Sequence, residues 1–153
     1  KNLKYPWEHV MKIAHLAWLA VPALLLSPVA AVAEITSLTV RVMNISPQSG
    51  TVEVTLFNSE ESFMKEPYRQ QSGKSNETGE FVTEFRDLTS GEYAVVVVHD
   101  ANDNGKLDSG FLGLGGESYG FSNEASSWFG RPGYEDAKFI TAPSGNVVEI
   151  DLD

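Results

Sequence analysis

The chain has 153 residues, no cysteine and a formal net charge of −10. That charge repels phosphate backbones, so no nucleic-acid partner is expected. The lack of cysteine excludes disulfides, thiolate metal sites and thiol nucleophiles.

The first thirty-three residues read as a leader rather than as fold. Met11-Lys12 precedes an apolar run from Leu16 to Leu26; Ser27-Pro28 breaks it, and Ala31-Val32-Ala33 ends it in a small-x-small pattern. A charged start, a short apolar centre and that ending describe a secretory signal peptide. The expected start is Met11 and the expected cleavage follows Ala33. The apolar run is shorter than the roughly 20 residues of a spanning helix, and Pro22 interrupts it, so no membrane span is expected after cleavage. Residues 34–153 then form a single domain that keeps 20 acids and 8 bases, a net charge of −12. The expected location is the periplasm or outside the cell, and the expected state is a monomer.

Within that domain, Leu38, Val40 and Val42 alternate with polar neighbours over 35–45, as do Val52, Val54 and Leu56 over 51–57. A period of two marks half-buried strands, and the Ser46-to-Gly50 turn between them predicts an antiparallel hairpin. The polar stretch 58–79 predicts an excursion. In it Phe63, Met64 and Tyr68 form a lid on the sheet, and Gln70 to Gly79 forms a mobile loop. Phe81 to Arg86 predicts a third strand, followed by a turn through Asp87 to Tyr93. Tyr93 to Val98 carries valine on both faces, which predicts a central strand covered on its outer side by the 58–79 excursion or by the region after 108. Ser109 to Tyr134 is rich in glycine and aromatics and reads as a long loop. Strands over 137–141 and 147–152 follow, with Val148, Ile150 and Leu152 inward. About seven short strands and no long helix predict an all-β, antiparallel β-sandwich.

The stretch His99-Asp100-Ala101-Asn102-Asp103-Asn104-Gly105-Lys106-Leu107-Asp108 follows the valine strand. Calcium takes six to eight oxygen ligands, and a loop supplies them when alternate residues point inward. Asp100, Asn102 and Asn104 occupy positions one, three and five. Gly105 permits the sharp turn, Lys106 offers its backbone carbonyl and Asp108 is position nine. Phe111 stands where a calcium hand has its glutamate. The missing carboxylate is assigned to Glu117, and Asp103 is expected to point to solvent. With two formal charges at the loop centre, affinity falls at the weak end, on the order of 0.1–1 mM. The same residue types also build metal-free turns, because Asp and Asn cap backbone amides and tolerate left-handed conformations. Both readings stay open at this point.

His99 is the single histidine of residues 34–153. It reads as a structural hydrogen-bond donor at a strand end. The alternative is a hydrolase using His99 with nearby acids or a metal-bound water, although the sequence places no nucleophile beside it.

Three motifs in order resemble a known family: Leu88-x-x-Gly91-x-Tyr93-Ala94-Val95, then His99-Asp100-x-Asn102-x-Asn104-Gly105-Lys106-Leu107-Asp108, then Glu117-x-Tyr119-Gly120-Phe121-Ser122-Asn123. Together they are similar to domain of unknown function 2141, small exported bacterial proteins, over about residues 38–153. The resemblance implies an immunoglobulin-like or transthyretin-like β-sandwich and brings no catalytic residues. Where that family usually has a proline before the glutamate, this chain has Gly115-Gly116. The resulting expectation is a non-enzymatic, exported binding or envelope-associated module with a calcium-stabilised loop. Its ligand is a protein or glycan, contacted through Trp128, Phe129 and Tyr134, although those aromatics read equally as a lid over the valine strand.

Overall fold

A computed structural model describes residues 34–105, 116–126, 131–143 and 145–152. Among them the strands are β1 (Ile35–Met43), β2 (Thr51–Phe57), β3 (Arg69–Gly73), β4 (Phe81–Thr89), β5 (Glu92–Asp100), β6 (Tyr119–Phe121), β7 (Phe139–Ile140) and β8 (Asn146–Asp151). One helical turn, α1 (Tyr134–Ala137), and a 3₁₀ turn at Ser122–Glu124 complete the set. The protein is all-β, in two sheets. One has the order β4-β1-β8; the other has the order β3-β2-β5-β6, with β7 paired to β5 beside β6.

The alternation in β1 and β2 correctly marks their buried faces, but not their partners. Leu38, Val40 and Val42 on one strand, and Val52, Val54 and Leu56 on the other, are fully buried in one core with Phe85, Leu88, Tyr93, Val95, Val97, Ile150 and Leu152. The two strands do not form a hairpin: β1 pairs with β4 and β8, whereas β2 pairs with β3 and β5. Periodicity specifies which side of a strand is dry, and the dry sides here face each other across the layers. Each fully buried Val, Leu, Ile or Phe contributes about 1.5–3 kcal/mol relative to exposure, so this shared interior is the main stabilising element. The pairing is also not wholly antiparallel, because β1 and β8 run parallel.

Strand β4 outruns its predicted end. A register shift on its pairing with β1, between Thr36 and Leu38, leaves Asp87 at φ +56°. The extra residue lets Phe85 and Leu88, three positions apart, both point inward. The segment from Gln70, expected as a mobile loop, instead begins within β3. That strand is polar because its side chains do not enter the core. The Arg69 guanidinium donates to the Asp87 carbonyl at 3.2 Å and the Gln71 amide to the Glu84 carbonyl at 3.2 Å, while the Thr83 hydroxyl donates to Gln71 Oε1 at 3.1 Å. These bonds bridge from the edge of one sheet to the edge of the other. At the opposite side Gly120 of β6 closes on β8: a Cβ added there would lie 2.5 Å from Ile150 Cγ2. The expected strand over 137–141 is α1 plus the two residues of β7.

Strand β5 is central and dry on both faces, as its valines require. Its outer face, Ala94 and Val96, is covered by Phe57, Phe63, Phe121, Tyr134 and Ala137, with Met64 and Ala125 against them. Both expected covers take part: the excursion after β2, and the segment that includes β6 and α1. Phe63 packs edge-on against Phe57 at 5.3 Å and against Tyr134 at 5.7 Å between ring centroids. Tyr134, only 5% exposed, is therefore part of the cover. Trp128 and Phe129 lie outside the described residues.

Candidate functional site

Asp100 ends β5, and sheet pairing decides what lies beside it. β5 and β6 are antiparallel, with Val98 opposite Tyr119, and the His99 N–H continues the ladder by donating to the Ser118 carbonyl at 2.9 Å. The next pair in that register is Asp100 and Glu117. Cross-strand neighbours of this kind have Cβ atoms about 4.5–5.5 Å apart, and the Glu117 carboxyl helps to hold the Asp100 carboxyl low. On the other flank Thr51 of β2 stands opposite Asp100.

The loop after Asp100 folds back on its carboxylate. Oδ1 accepts the Asn104 N–H at 3.1 Å and Oδ2 accepts the Gly105 N–H at 2.7 Å, while Asn102 Oδ1 also accepts the Asn104 N–H, at 3.0 Å. Gly105 takes φ +70° to make the turn. The structure therefore brings together Asp100, Asn102, Asn104 and Glu117. Lys106 and Asp108 lie outside the described residues, as does Phe111. Among the described residues there is no group of three or more His, Cys, Asp or Glu arranged to hold a metal ion.

The Gly105 N–H is the main reason that the Asp100 carboxyl lies below the ordinary value of 3.8. The Asn104 N–H, the Glu117 carboxyl and the Asp103 N–H add to it, and partial burial opposes it. A folded pKa below the unfolded one means that the charged form favours the fold. That contribution is complete above the ordinary aspartate range and disappears as pH falls through the lower, folded value. Melting temperature is therefore expected to drop on the acid side of about pH 4, and Asp100→Asn to flatten part of that drop. Superimposable acid limbs for the two proteins would contradict this role.

Asp103 faces solvent, its side chain 51% exposed, and is also held by neighbours. It accepts from the Thr51 hydroxyl at 2.6 Å and pairs with the Lys74 ammonium at 2.9 Å. Those two groups hold its carboxyl below the ordinary range, the Thr51 bond first. The loop is thereby tied to β2 and to the chain after β3. Thr51 and Lys74 carry no local signature, and only the strand pairing brings them here. Ser49 and Gly50 fix the loop from beneath. His99, 1% exposed, places Nε2 at 2.6 Å from the Ser49 carbonyl, to which it donates. That is the structural role read from its position at a strand end. Gly50, at φ +84°, passes so close that an added Cβ would lie 2.2 Å from the Asp100 carbonyl oxygen.

The other motif residues also do structural jobs. The Gly91 N–H donates to the Thr141 hydroxyl at 2.9 Å, and the Tyr93 hydroxyl donates to the Thr89 carbonyl at 2.7 Å. Ser122, fully buried, accepts the Val95 N–H at 2.9 Å and donates to the Ala137 carbonyl. Asn123 donates to the Lys138 carbonyl at 2.6 Å. Together they fasten the cover segment to β5.

Fold and site thus define a two-sheet all-β domain whose central strand ends in a carboxylate loop closed by a cross-strand glutamate. Over residues 40–149 the chain matches the family described as "Uncharacterized protein conserved in bacteria (DUF2141)", and it belongs to that family. No curated protein and no solved structure matches it.

Proposed function

We propose that this chain is an exported, non-enzymatic β-sandwich module of the immunoglobulin-like or transthyretin-like class, which binds a protein or glycan ligand and is steadied by a weakly held calcium ion at the Asp100 loop. The observation that supports the reading is the β5–β6 register, which sets Glu117 opposite Asp100 at the mouth of an Asx-rich loop. Asp100, Asn102, Asn104, the Lys106 carbonyl, Asp108 and Glu117 would supply six oxygen donors, the lower end of calcium's requirement. Export is supported by the apolar run Leu16–Leu26 and the Ala31-Val32-Ala33 ending. The expected location is the periplasm or the outside of the cell, where millimolar calcium suits a site of this strength.

At about ten times its dissociation constant the ion adds roughly 1.4 kcal/mol of stability. For a domain of this size that is a rise of about 4–8 °C in melting temperature. Melts in several millimolar calcium, against chelator and against magnesium, test this. Glu117→Gln should remove most of the rise. A melting temperature that is indifferent to calcium would sink the metal half of the proposal and leave the capped turn.

A further inference from the structure

Among the described residues, the outer face of the five-stranded sheet is not covered along its whole length. Phe57, Phe63 and Tyr134 close one end, and between them and the Asp100 loop lies a cavity of about 230 Å³. Its floor is Thr55 with Val96 paired on one side and Gln70 on the other, the Gln70 amide donating to the Thr55 hydroxyl at 3.2 Å. Glu53 stands on the same strand face toward the Asp100 loop. Met64, Lys65 and Pro67 rise over the Phe57 end.

Glu53 is the uncommon feature. Its side chain is partly buried and lines the cavity, and among the described residues it makes no side-chain hydrogen bond or ion pair. A ligand ammonium would give that carboxylate a charge-assisted partner. At the other end Lys65 donates to the Glu61 carbonyl at 3.2 Å, which leaves two of its three N–H donors for another acceptor. Glu53 and Phe57 are four residues apart on one strand, about 13 Å along its axis. The cavity is thus acidic at one end, basic at the other and apolar between, with Val96, Phe57 and Met64 as its walls.

From this pattern we propose a ligand site for a linear zwitterion, an ammonium and a carboxylate separated by several methylenes. The ammonium meets Glu53, the chain lies over Val96 and Phe57, and the carboxylate meets Lys65. A compact α-amino acid is too short to satisfy both ends, and a diamine places its second cation against Lys65. The site uses none of the Asp100 loop residues, so it goes beyond the calcium reading and stands or falls without it.

The test is an amide-resolved NMR titration in chelator with ε-aminocaproate, hexylamine, hexamethylenediamine and hexanol. Saturable shifts at Thr55, Val96 and the Gln70 side-chain amide are expected with ε-aminocaproate. Hexamethylenediamine, which loses one charge-assisted contact, should bind at least about tenfold more weakly, and hexanol, which loses both, more weakly still. Glu53→Gln should weaken ε-aminocaproate by about tenfold without lowering the melting temperature, since it removes an unpartnered charge. Lys65→Gln should weaken ε-aminocaproate but not hexylamine. Absence of saturable shifts, equal binding of hexanol, or an unchanged affinity in Glu53→Gln would each overturn the proposal.

Discussion

Gly50→Ala is expected to be among the most damaging single substitutions in the domain, with a loss of about 3 kcal/mol. Two causes add. An alanine held in the left-handed region costs about 1–2 kcal/mol, and Gly50 sits at φ +84°. Its new Cβ would also lie 2.2 Å from the Asp100 carbonyl oxygen and 2.5 Å from Ala101 Cα, contacts with backbone that no rotamer relieves. Overpacking of that kind costs about 1–3 kcal/mol. The displaced backbone belongs to the first turn of the carboxylate loop, so amide shifts should concentrate at Asp100 to Gly105. Gly105→Ala is the control. It has the same handedness, φ +70°, but among the described residues nothing lies within 4 Å of the added carbon, so its loss should stay near 1–2 kcal/mol. Equal losses in the two variants, measured by urea unfolding, would show that the contact with Asp100 does not matter.

The second large effect concerns Tyr134, where two substitutions should act in opposite directions. Tyr134→Ala removes an aromatic ring packed edge-on against Phe63 in the cover over β5. A cavity of that size costs about 3–5 kcal/mol. Tyr134→Phe keeps the ring and deletes a hydroxyl that is buried without a hydrogen-bond partner among the described residues. Burial already raises the pKa of that hydroxyl, with Glu92 adding to the effect. Loss of an unsatisfied buried polar group relieves a penalty of about 1–3 kcal/mol, so Tyr134→Phe should be neutral or stabilising. Denaturant midpoints for the two proteins decide the matter. A less stable Tyr134→Phe would mean that the hydroxyl finds a partner in solution. An unchanged Tyr134→Ala would mean that the ring is a contact surface rather than part of the cover.

Single strands were legible in the chain because burial on one face leaves a period of two, as in Val52, Val54 and Leu56. The two-faced valines of β5 likewise announced a central position and a cover. Partnership was not legible. Nothing local in Leu38 to Val42 distinguishes a hairpin with β2 from pairing with β4 and β8. Strand β3 escaped notice because Arg69 and Gln71 stabilise it through polar bridges to β4, which leave no apolar pattern. In the candidate site, Asp100, Asn102 and Asn104 were visible from spacing, and Glu117 meets Asp100 through the β5–β6 register. Thr51, Lys74 and Gly50 were invisible because they arrive from other strands. The motif residues Gly91, Ser122 and Asn123 fasten backbone to backbone, which explains why the family pattern is specific without spelling out a reaction.

The bridging of β3 to β4, and the close approach of β6 to β8, bear on how this protein could meet another. An exposed strand edge is a template for strand addition and for aggregation. Here the β4 carbonyls of Glu84 and Asp87 are already taken by side chains of β3, and on the other flank the Gly120 backbone lies against Ile150 and the Asp151 carbonyl. A peptide seeking to extend either sheet would first have to displace those contacts. Strand addition at those two flanks is therefore hindered, and a partner would more readily meet the loops and faces.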